Sequence, residues 1–548
     1  MPENLQVGLS GLDWAIFAIY AITIVSVGLI ASHKNRHSTE GYFLAGKSIP
    51  WWAIGASLIA ANISAEQVIG MSGSGFAIGM AISAYEWMAA VTLILVAKFF
   101  MPIFISKGIY TIPEFVEKRF NKTLKTILAV FWICLYIFVN LSSVLYLGGT
   151  ALETILHVNF TYAILGLAAF ALVYSLYGGL SSVVWTDVIQ VAILIIGGIA
   201  ITFISVSMVG AGSGFSAGLS HMMDFAPEHF KMIIEPEDKA NYMNLPGIAV
   251  LIGGMWVANL YYWGFNQYII QRTFAAKSLD EAQKGLAFAG FLKLLTPLIV
   301  VIPGIAAYVL INDSVLEQGL IEQFGEMVTD PESIPSMGRA DKAYPWIAQF
   351  LPVGARGLVV AALAAAIVSS LASMMNSTAT IFTMDLYKEY VDKNASDLKL
   401  VNVGRLSAVV ALVIAIFIAP MLSTLGQAFQ YIQEYTGLVS PGILGVFLCG
   451  LFWKHTTSKA AIIGVLCSIP IALLLKFLPL QMPFMNQMMY TIVLTMAIIV
   501  FVSIATNEED DDPKGISLKA SEFKTSGGFA IASYCIILFV ALAYALYW

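Results

Sequence analysis

Four ionisable side chains lie deep inside long apolar runs: Glu66, Glu86, Asp187 and Lys293. A charge at that depth is expensive unless it meets a partner, a cavity or an ion, so each is a candidate for function. Lys293 follows Phe291 by two residues in an otherwise apolar run and needs acceptors, which Glu86 in Tyr85-Glu86-Trp87 offers. Such a pair either only fixes helix register or also contacts a ligand. Asn62, Gln67, Glu86, Asn259, Lys293 and Gln433 together supply donors and acceptors, and Tyr85, Tyr262 and Phe429 supply aromatic faces. That mixture suits a neutral, polyhydroxylated solute, whose hydroxyls need both kinds of partner and whose C–H side packs on a ring. A charged ligand would instead require an unpaired opposite charge.

A second constellation is Ser369-Ser370 in the small-residue run 364–373. Adjacent hydroxyls there could close a site for a hard monovalent cation, together with backbone carbonyls from a broken neighbouring helix. Plain small-residue packing with back-bonded serines is the alternative. Asp187, in Trp185-Thr186-Asp187, is either a cation way-station or an ordinary helix-terminal charge. The cluster Tyr261-Tyr262-Trp263 is a gate or part of the core. No nucleophile–base pair, phosphate loop or metal-ligand spacing is present, so neither an enzyme nor a bound cofactor is expected. The four cysteines lie in apolar segments without a CxxC arrangement, and the six histidines fall in expected loops. Disulfide, zinc, haem and histidine-relay chemistry are therefore not expected.

The elements that hold these groups follow from composition. Of 548 residues 59% are hydrophobic and only 11% charged, against about 25% charged in a soluble domain. The chain is thus an all-α polytopic membrane protein whose first partner is the lipid bilayer. Its net charge of −6 and its scattered basic residues exclude nucleic acid, and no obligate protein partner is evident. Apolar runs of about 20 residues give about fourteen transmembrane helices, among them 50–74, 160–178, 183–209, 248–273, 345–387 and 424–453. The first follows an acidic, lysine-free start and reads as a retained helix rather than a cleaved signal. Of the 28 basic residues, 21 fall on one side, including Arg119, Lys125 and Arg272, so that side faces the cytoplasm and both termini lie outside. The acidic run 507–512 reads as a solvated inner loop.

Two blocks of five spans, 50–209 and 248–453, enter the membrane with opposite topology because five is odd. Each begins with a span carrying polar interruptions, 62–67 in one and 259–267 in the other. Matching broken helices in inverted repeats point to a midplane binding site. The expected organisation is an extra helix and inner loop over 1–49, a first repeat over 50–209, and an outer loop over 210–247. A second repeat follows over 248–453 with its own outer loop at 314–344, then three peripheral helices over 454–548.

The motifs within this frame resemble the sodium/solute symporter family, in particular its sodium/glucose branch. They are 174–182 (YSLYGGLSS), 185–190 (WTDVIQ), 266–272 (NQYIIQR), 276–278 (AKS), 369–377 (SSLASMMNS), 382–387 (FTMDLY) and 431–433 (YIQ). The resemblance spans about residues 40–455 and implies a LeuT-like 5+5 inverted-repeat fold with two broken helices. It implies sodium-coupled uptake of galactose or glucose across a bacterial inner membrane, in which the outside placement of the termini expected from the basic residues is periplasmic. By position, Asn62, Gln67, Glu86, Asn259, Lys293 and Gln433 would bond the sugar, and Tyr262 would stack on it and gate the inner side beside Trp263. Met71, Tyr85 and Phe429 would cover the outer side. Sodium would take the carbonyls of Ala60, Ile63 and Ala366 and the hydroxyls of Ser369 and Ser370, with Asp187 on its exit path. Ala372 stands where relatives coupling two sodium ions have threonine, which favours one ion per sugar. Gln67 stands where vertebrate glucose transporters carry histidine, so sugar preference need not match theirs. Other sodium-coupled solutes (proline, pantothenate, inositol) share much of the scaffold, and a sugar sensor would use the same pocket without flux.

Overall fold

The computed structural model describes residues 9–32, 38–108, 111–156, 158–331, 333–424, 428–478, 482–506 and 514–548. The acidic run 507–512 and the loop positions His33, His37 and His157 lie outside them. Helix prevails because hydrocarbon offers no partner to a backbone amide or carbonyl, so each span must satisfy its own. Among the described residues, the single β-type contact is an isolated bridge between Ile49 and Ala276.

In chain order the membrane helices are α1 (Gly11–Ser32), the bent pair α2 (Trp51–Asn62) and α3 (Glu66–Ala77), α4 (Met80–Ser106) and α5 (Lys122–Leu156). Then come α6 (Phe160–Val173), α7 (Gly179–Val209), the bent pair α8 (Lys239–Ile252) and α9 (Gly254–Phe265), α10 (Gln267–Phe274) and α11 (Leu279–Asn312). The remainder are α12 (Ala355–Tyr390), α13 (Asp397–Leu422), α14 (Ser440–Phe452), α15 (Ser458–Phe477), α16 (Phe484–Thr506) and α17 (Gly527–Leu546). Among the described residues, ten helices are long and apolar enough to span a bilayer, or twelve spans with the two bent pairs. Two further expected segments carry the shorter helices α6 and α14.

Burial separates the centre from the periphery. The apolar windows of α12, α11 and α4 are 94%, 78% and 72% buried, whereas those of α1, α13 and the last three helices are 17–33% buried. The outer helices therefore use most of their surface for lipid. Close helix approach in the centre depends on missing side chains: a Cβ on Gly304 of α11 would meet the Ser72 carbonyl at 2.0 Å, and one on Gly75 of α3 would meet Val301 O at 2.6 Å.

Both interrupted spans are broken, and the structure places their breaks more sharply than composition does. The first bends by 65° between Asn62 and Glu66. Ile63 (φ −74°, ψ 90°) forms an inverse γ-turn in which the Ser64 amide bonds the Asn62 carbonyl at 2.9 Å. The second span bends by 77° at Gly253, before the polar stretch 259–267, and breaks again at Asn266 (φ −83°, ψ 116°). Residues 259–265 are regular helix, so the polar stretch marks one break and misses the other.

Segments 160–178 and 183–209 form two helices that meet at a kink at Gly179, whose φ of 56° is one that glycine adopts without a Cβ penalty. Segment 345–387 is divided: a short helix Ala343–Gln349 precedes α12, because Pro352 and Gly354 (φ 89°) end it. The long loops carry short helices at Gly214–Phe225 and Ser314–Phe324.

Candidate functional site

The two broken spans meet at the centre of the helix assembly. The start of the first and the end of the second are tied together: the Ile49 amide donates to Ala275 O (3.1 Å), the Lys277 amide to Ile49 O (3.3 Å), and the Trp51 amide to Glu281 Oε2 (2.7 Å). Beyond the breaks lies a cavity of about 60 Å³ lined by Asn62, Gln67, Tyr85, Glu86, Asn259, Tyr262, Trp263, Lys293, Phe429 and Gln433. These are all the side chains expected to hold or shield a sugar, apart from Met71, which is fully buried but not on the wall. The volume is far below the roughly 300–1,000 Å³ of an open ligand pocket, so the site is contracted.

Lys293 and Glu86 form a fully buried ion pair. The ammonium also donates to Asn62 Oδ1 and lies over the Trp263 ring, 5.3 Å from its centroid. Trp263, expected at the inner gate, thus braces the lysine as well as packing edge-on against Tyr262 at 5.2 Å. Asn62 donates from Nδ2 to the Tyr262 hydroxyl at 2.9 Å, and that hydroxyl bonds Tyr268 at 2.6 Å. On the opposite side Tyr85 and Phe429 meet edge-to-face at 5.2 Å, with Phe429 seated on Gly70, where an added Cβ would come within 2.8 Å of its own. Ring contacts on both sides of the cavity leave it narrow.

Two expected contacts are used differently. Gln67 turns its Oε1 onto the Ser64 amide (3.1 Å) and hydroxyl (2.9 Å), so its carbonyl braces the break. Asn259 donates to Met255 O at 3.2 Å within its own helix. Glu66 sits at the start of a wide π-helical turn, buried, with Oε1 lacking a hydrogen-bond partner.

The break also shapes the cation candidate. Because the Ser64 amide turns to Asn62 O and Gln67 Oε1, the Ala60 carbonyl loses the donor a regular helix would give it. Ser370 on α12 donates to the adjacent Ala61 carbonyl at 3.0 Å, and Ser369 donates to Asp187 Oδ1 at 2.5 Å. Ala366 lies one turn earlier on α12 and is buried. The oxygen donors are of the kind a sodium ion takes: neutral, numerous and partly backbone.

Asp187 is not an open way-station here. Its Oδ2 accepts from Ser57 and from Arg272 at 3.3 Å, and its Oδ1 from Ser369. Arg272 further donates to Ser57 O (3.1 Å) and to Ser373. One guanidinium thus staples α2, α7, α10 and α12. Arg272, expected among the inner loop cations where positive charge is ordinary, has a side chain only 1% exposed. Arg119 and Lys125 are likewise buried, Arg119 capping the carbonyls at the end of α14 and Lys125 pairing with Glu117 and Asp385. The partners are acids in two cases and helix-end carbonyls in the third, and chain spacing does not pair a cation with either.

Helix α10 carries further links to its surroundings. Gln267 Oε1 accepts from the Ile112 amide (2.8 Å). Gln271 donates to Phe43 O (2.7 Å) and Thr380 Oγ1 (3.1 Å), and accepts from Ser377 (3.0 Å). Asn266 accepts from Tyr136. Asn266 and Gln267 belong to the expected polar interruption 259–267, while Gln271 carries no expected role beyond its place in the motif 266–272.

A narrow central cavity between two broken helices, flanked by a hydroxyl-and-carbonyl cluster, defines a secondary transporter of the inverted-repeat class. The sodium:solute symporter family model matches residues 42–468, and the chain belongs to that family. It is 66% identical to the sodium/glucose cotransporter of Vibrio parahaemolyticus, with both chains covered in full. It is 36% identical to human sodium/myo-inositol cotransporter 2, over 85% of this chain and 70% of that one. Among solved structures, a Na+-coupled sialic acid symporter superposes with a TM-score of 0.76 at 21% identity, covering 90% of this chain and 98% of the other. A nucleobase-cation-symport-1 family transporter, in a closed conformation, superposes at 0.52 and 13% identity, over 88% and 99%. The LeuT-like fold expected from the motifs is thereby shown.

Proposed function

We propose that this chain imports a neutral monosaccharide, galactose or glucose, by sodium-coupled symport with one sodium ion per sugar. The observation that carries the reading is the charge balance of the central cavity. Its one ammonium and the carboxylate facing it neutralise each other, so a ligand meets donors and acceptors but no net charge. Similarity over the whole length to a protein named a sodium/glucose cotransporter supports the same solute class.

In this reading sodium binds the carbonyls of Ala60, Ile63 and Ala366 and the hydroxyls of Ser369 and Ser370, joining α2 to α12. Joining them favours parting of Tyr85 from Phe429 on the outer side, which admits the sugar. Asn62, Gln67, Glu86, Asn259, Lys293 and Gln433 take its hydroxyls, and Tyr262 packs on its ring. Met71, Tyr85 and Phe429 then close over it. Inner opening requires α10 to leave its polar partners and Tyr262 to release Asn62. Asp187 receives the departing ion once Arg272 and Ser369 let it go. A buried alanine at position 372 adds no hydroxyl for a second ion. One charge falling through about 100 mV contributes roughly 2.3 kcal/mol, enough for an approximately fiftyfold sugar gradient.

A second reading, uptake of the cyclic polyol myo-inositol, is favoured by the similarity to human sodium/myo-inositol cotransporter 2. Purified protein in liposomes, given a panel of labelled galactose, glucose and myo-inositol with and without a sodium gradient, separates the readings. Equal uptake of galactose in the absence of sodium would overturn the coupling.

A further inference from the structure

A crevice of about 620 Å³ opens on the membrane face where α7, α11 and α17 diverge. Ile199 and Phe203 of α7, Leu298 and Ile302 of α11, and Leu542 and Leu546 of α17 form its walls. It runs from Phe539 to Tyr547 along α17, about 12 Å of helix. Phe215, from the surface helix Gly214–Phe225, stacks on Phe203 at 5.5 Å and extends one wall. One end is closed by the loop that precedes α8, where the Met232 amide donates to Tyr547 O at 2.6 Å.

The filling of this space is decided by its chemistry. At about 30 Å³ each, some twenty waters would be needed. They would meet almost no partner, because the Thr202 hydroxyl on the wall already bonds Gly198 O and Leu298 O, each at 2.8 Å. Left empty, the crevice would forfeit the dispersion contacts that protein interiors otherwise keep. Its walls belong to helices that cross the bilayer, and the lips are open to that surface: Ile199, Phe203 and Leu542 are each more than half exposed. Hydrocarbon is therefore both the adjoining medium and the matching filler.

We propose that the crevice is a phospholipid site in which one acyl chain lies lengthwise between α7 and α17. The back wall gives the site a bearing on transport. Trp87, the residue after Glu86, lines the crevice, and its indole packs against Phe539 and Tyr544 at 6.2 and 6.4 Å. Its Nε1 donates to Leu294 O (3.4 Å), next to Lys293. The bound chain supports from behind the two helices that carry the buried Lys293–Glu86 pair.

The test uses the full chain in nanodiscs containing a phospholipid with a photoactivatable diazirine in mid-chain. Peptides carrying 199–203 and 539–547 are expected to be labelled severalfold more than the 410–417 peptide of α13, whose Val410, Val413 and Phe417 are comparably exposed. Filling the crevice from either wall, with Leu542→Trp or separately Ile199→Trp, should bring labelling of the opposite wall down to that reference. Equal labelling of all three peptides overturns the proposal, as does labelling that persists in both filled variants. Disulfide cross-linking of Leu542→Cys chains to one another in the same membranes would assign the face to a second copy and also overturn it.

Discussion

Asn62 joins the two halves of the central site through one side chain: its amide nitrogen holds the Tyr262 hydroxyl at 2.9 Å, while its amide oxygen accepts from Lys293. Tyr262 sits on the second broken span and Lys293 on α11. A ligand hydroxyl that displaces either contact therefore acts on Tyr262 and on the buried ion pair together.

Tyr262→Phe removes the gate's bond without changing its shape. Leaving the Asn62 amide and the Tyr268 hydroxyl short of a partner costs about 1–3 kcal/mol. The gate should open more readily, so sodium-driven accumulation of galactose should fall and a sodium-independent leak of galactose should appear. Accumulation at the level of the unaltered protein would show that the hydroxyl does not hold the gate.

The Lys293–Glu86 pair separates stability from recognition. Lys293→Met should lower unfolding stability by about 3–5 kcal/mol, because an unpaired carboxylate stays buried. The double variant Lys293→Met with Glu86→Gln should recover most of that loss in thermal unfolding, yet remain without uptake, since both contacts to sugar are gone. Recovery of uptake along with stability would reduce the pair to a packing role.

Ser370→Ala deletes the hydroxyl bonded to Ala61 O. Sodium half-activation should move to higher concentration by about tenfold, the effect of losing roughly 1.4 kcal/mol of ligand contact. Galactose binding measured at saturating sodium should be preserved. Unchanged sodium activation would remove Ser370 from the ion site.

Gln271→Leu removes the side-chain partner of Phe43 O and of the Ser377 hydroxyl, and the donor to Thr380 Oγ1, which keeps its bond to Asn376 O. The inner side loses several polar contacts at once, at about 1 kcal/mol each. A cysteine at Ser377, a buried position, should become reactive towards a membrane-impermeant maleimide applied from the inner side. Continued protection in the Gln271→Leu background would show that α10 is held by other contacts.

His229, in the loop before α8, stacks on Tyr308 at 3.9 Å between ring centres and bonds Phe76 O at 3.1 Å. Burial holds its pKa below the usual imidazole range, against the smaller opposing effects of the Phe76 carbonyl, Asp238 and Glu228. The unfolded chain therefore binds the proton first, and stability falls as pH drops below about 6.5, levelling off under the folded-state pKa. Hydrogen exchange of residues 226–234 should accelerate over that window, and His229→Gln should flatten the dependence. A pH-independent exchange rate in the unaltered protein would contradict this reading of the packed neutral ring.

Apolar runs and sparse charge determined an all-helical membrane protein, because a bilayer leaves the backbone little alternative. The polar stretch 62–67 was likewise legible as a break, since it interrupts a segment that is otherwise hydrocarbon-compatible. Lys293 and Glu86 could be paired by need, each being too costly to bury alone. Tertiary packing decided what one-dimensional spacing cannot encode. It set the sharp bend at Gly253, where no polar signal exists, and turned the Gln67 carbonyl onto Ser64. It also drew Arg272 out of an apparent inner loop and onto Asp187, 85 positions away. A charge's cost depends on which groups surround it in space, and those neighbours come from helices that the chain brings together only when it folds.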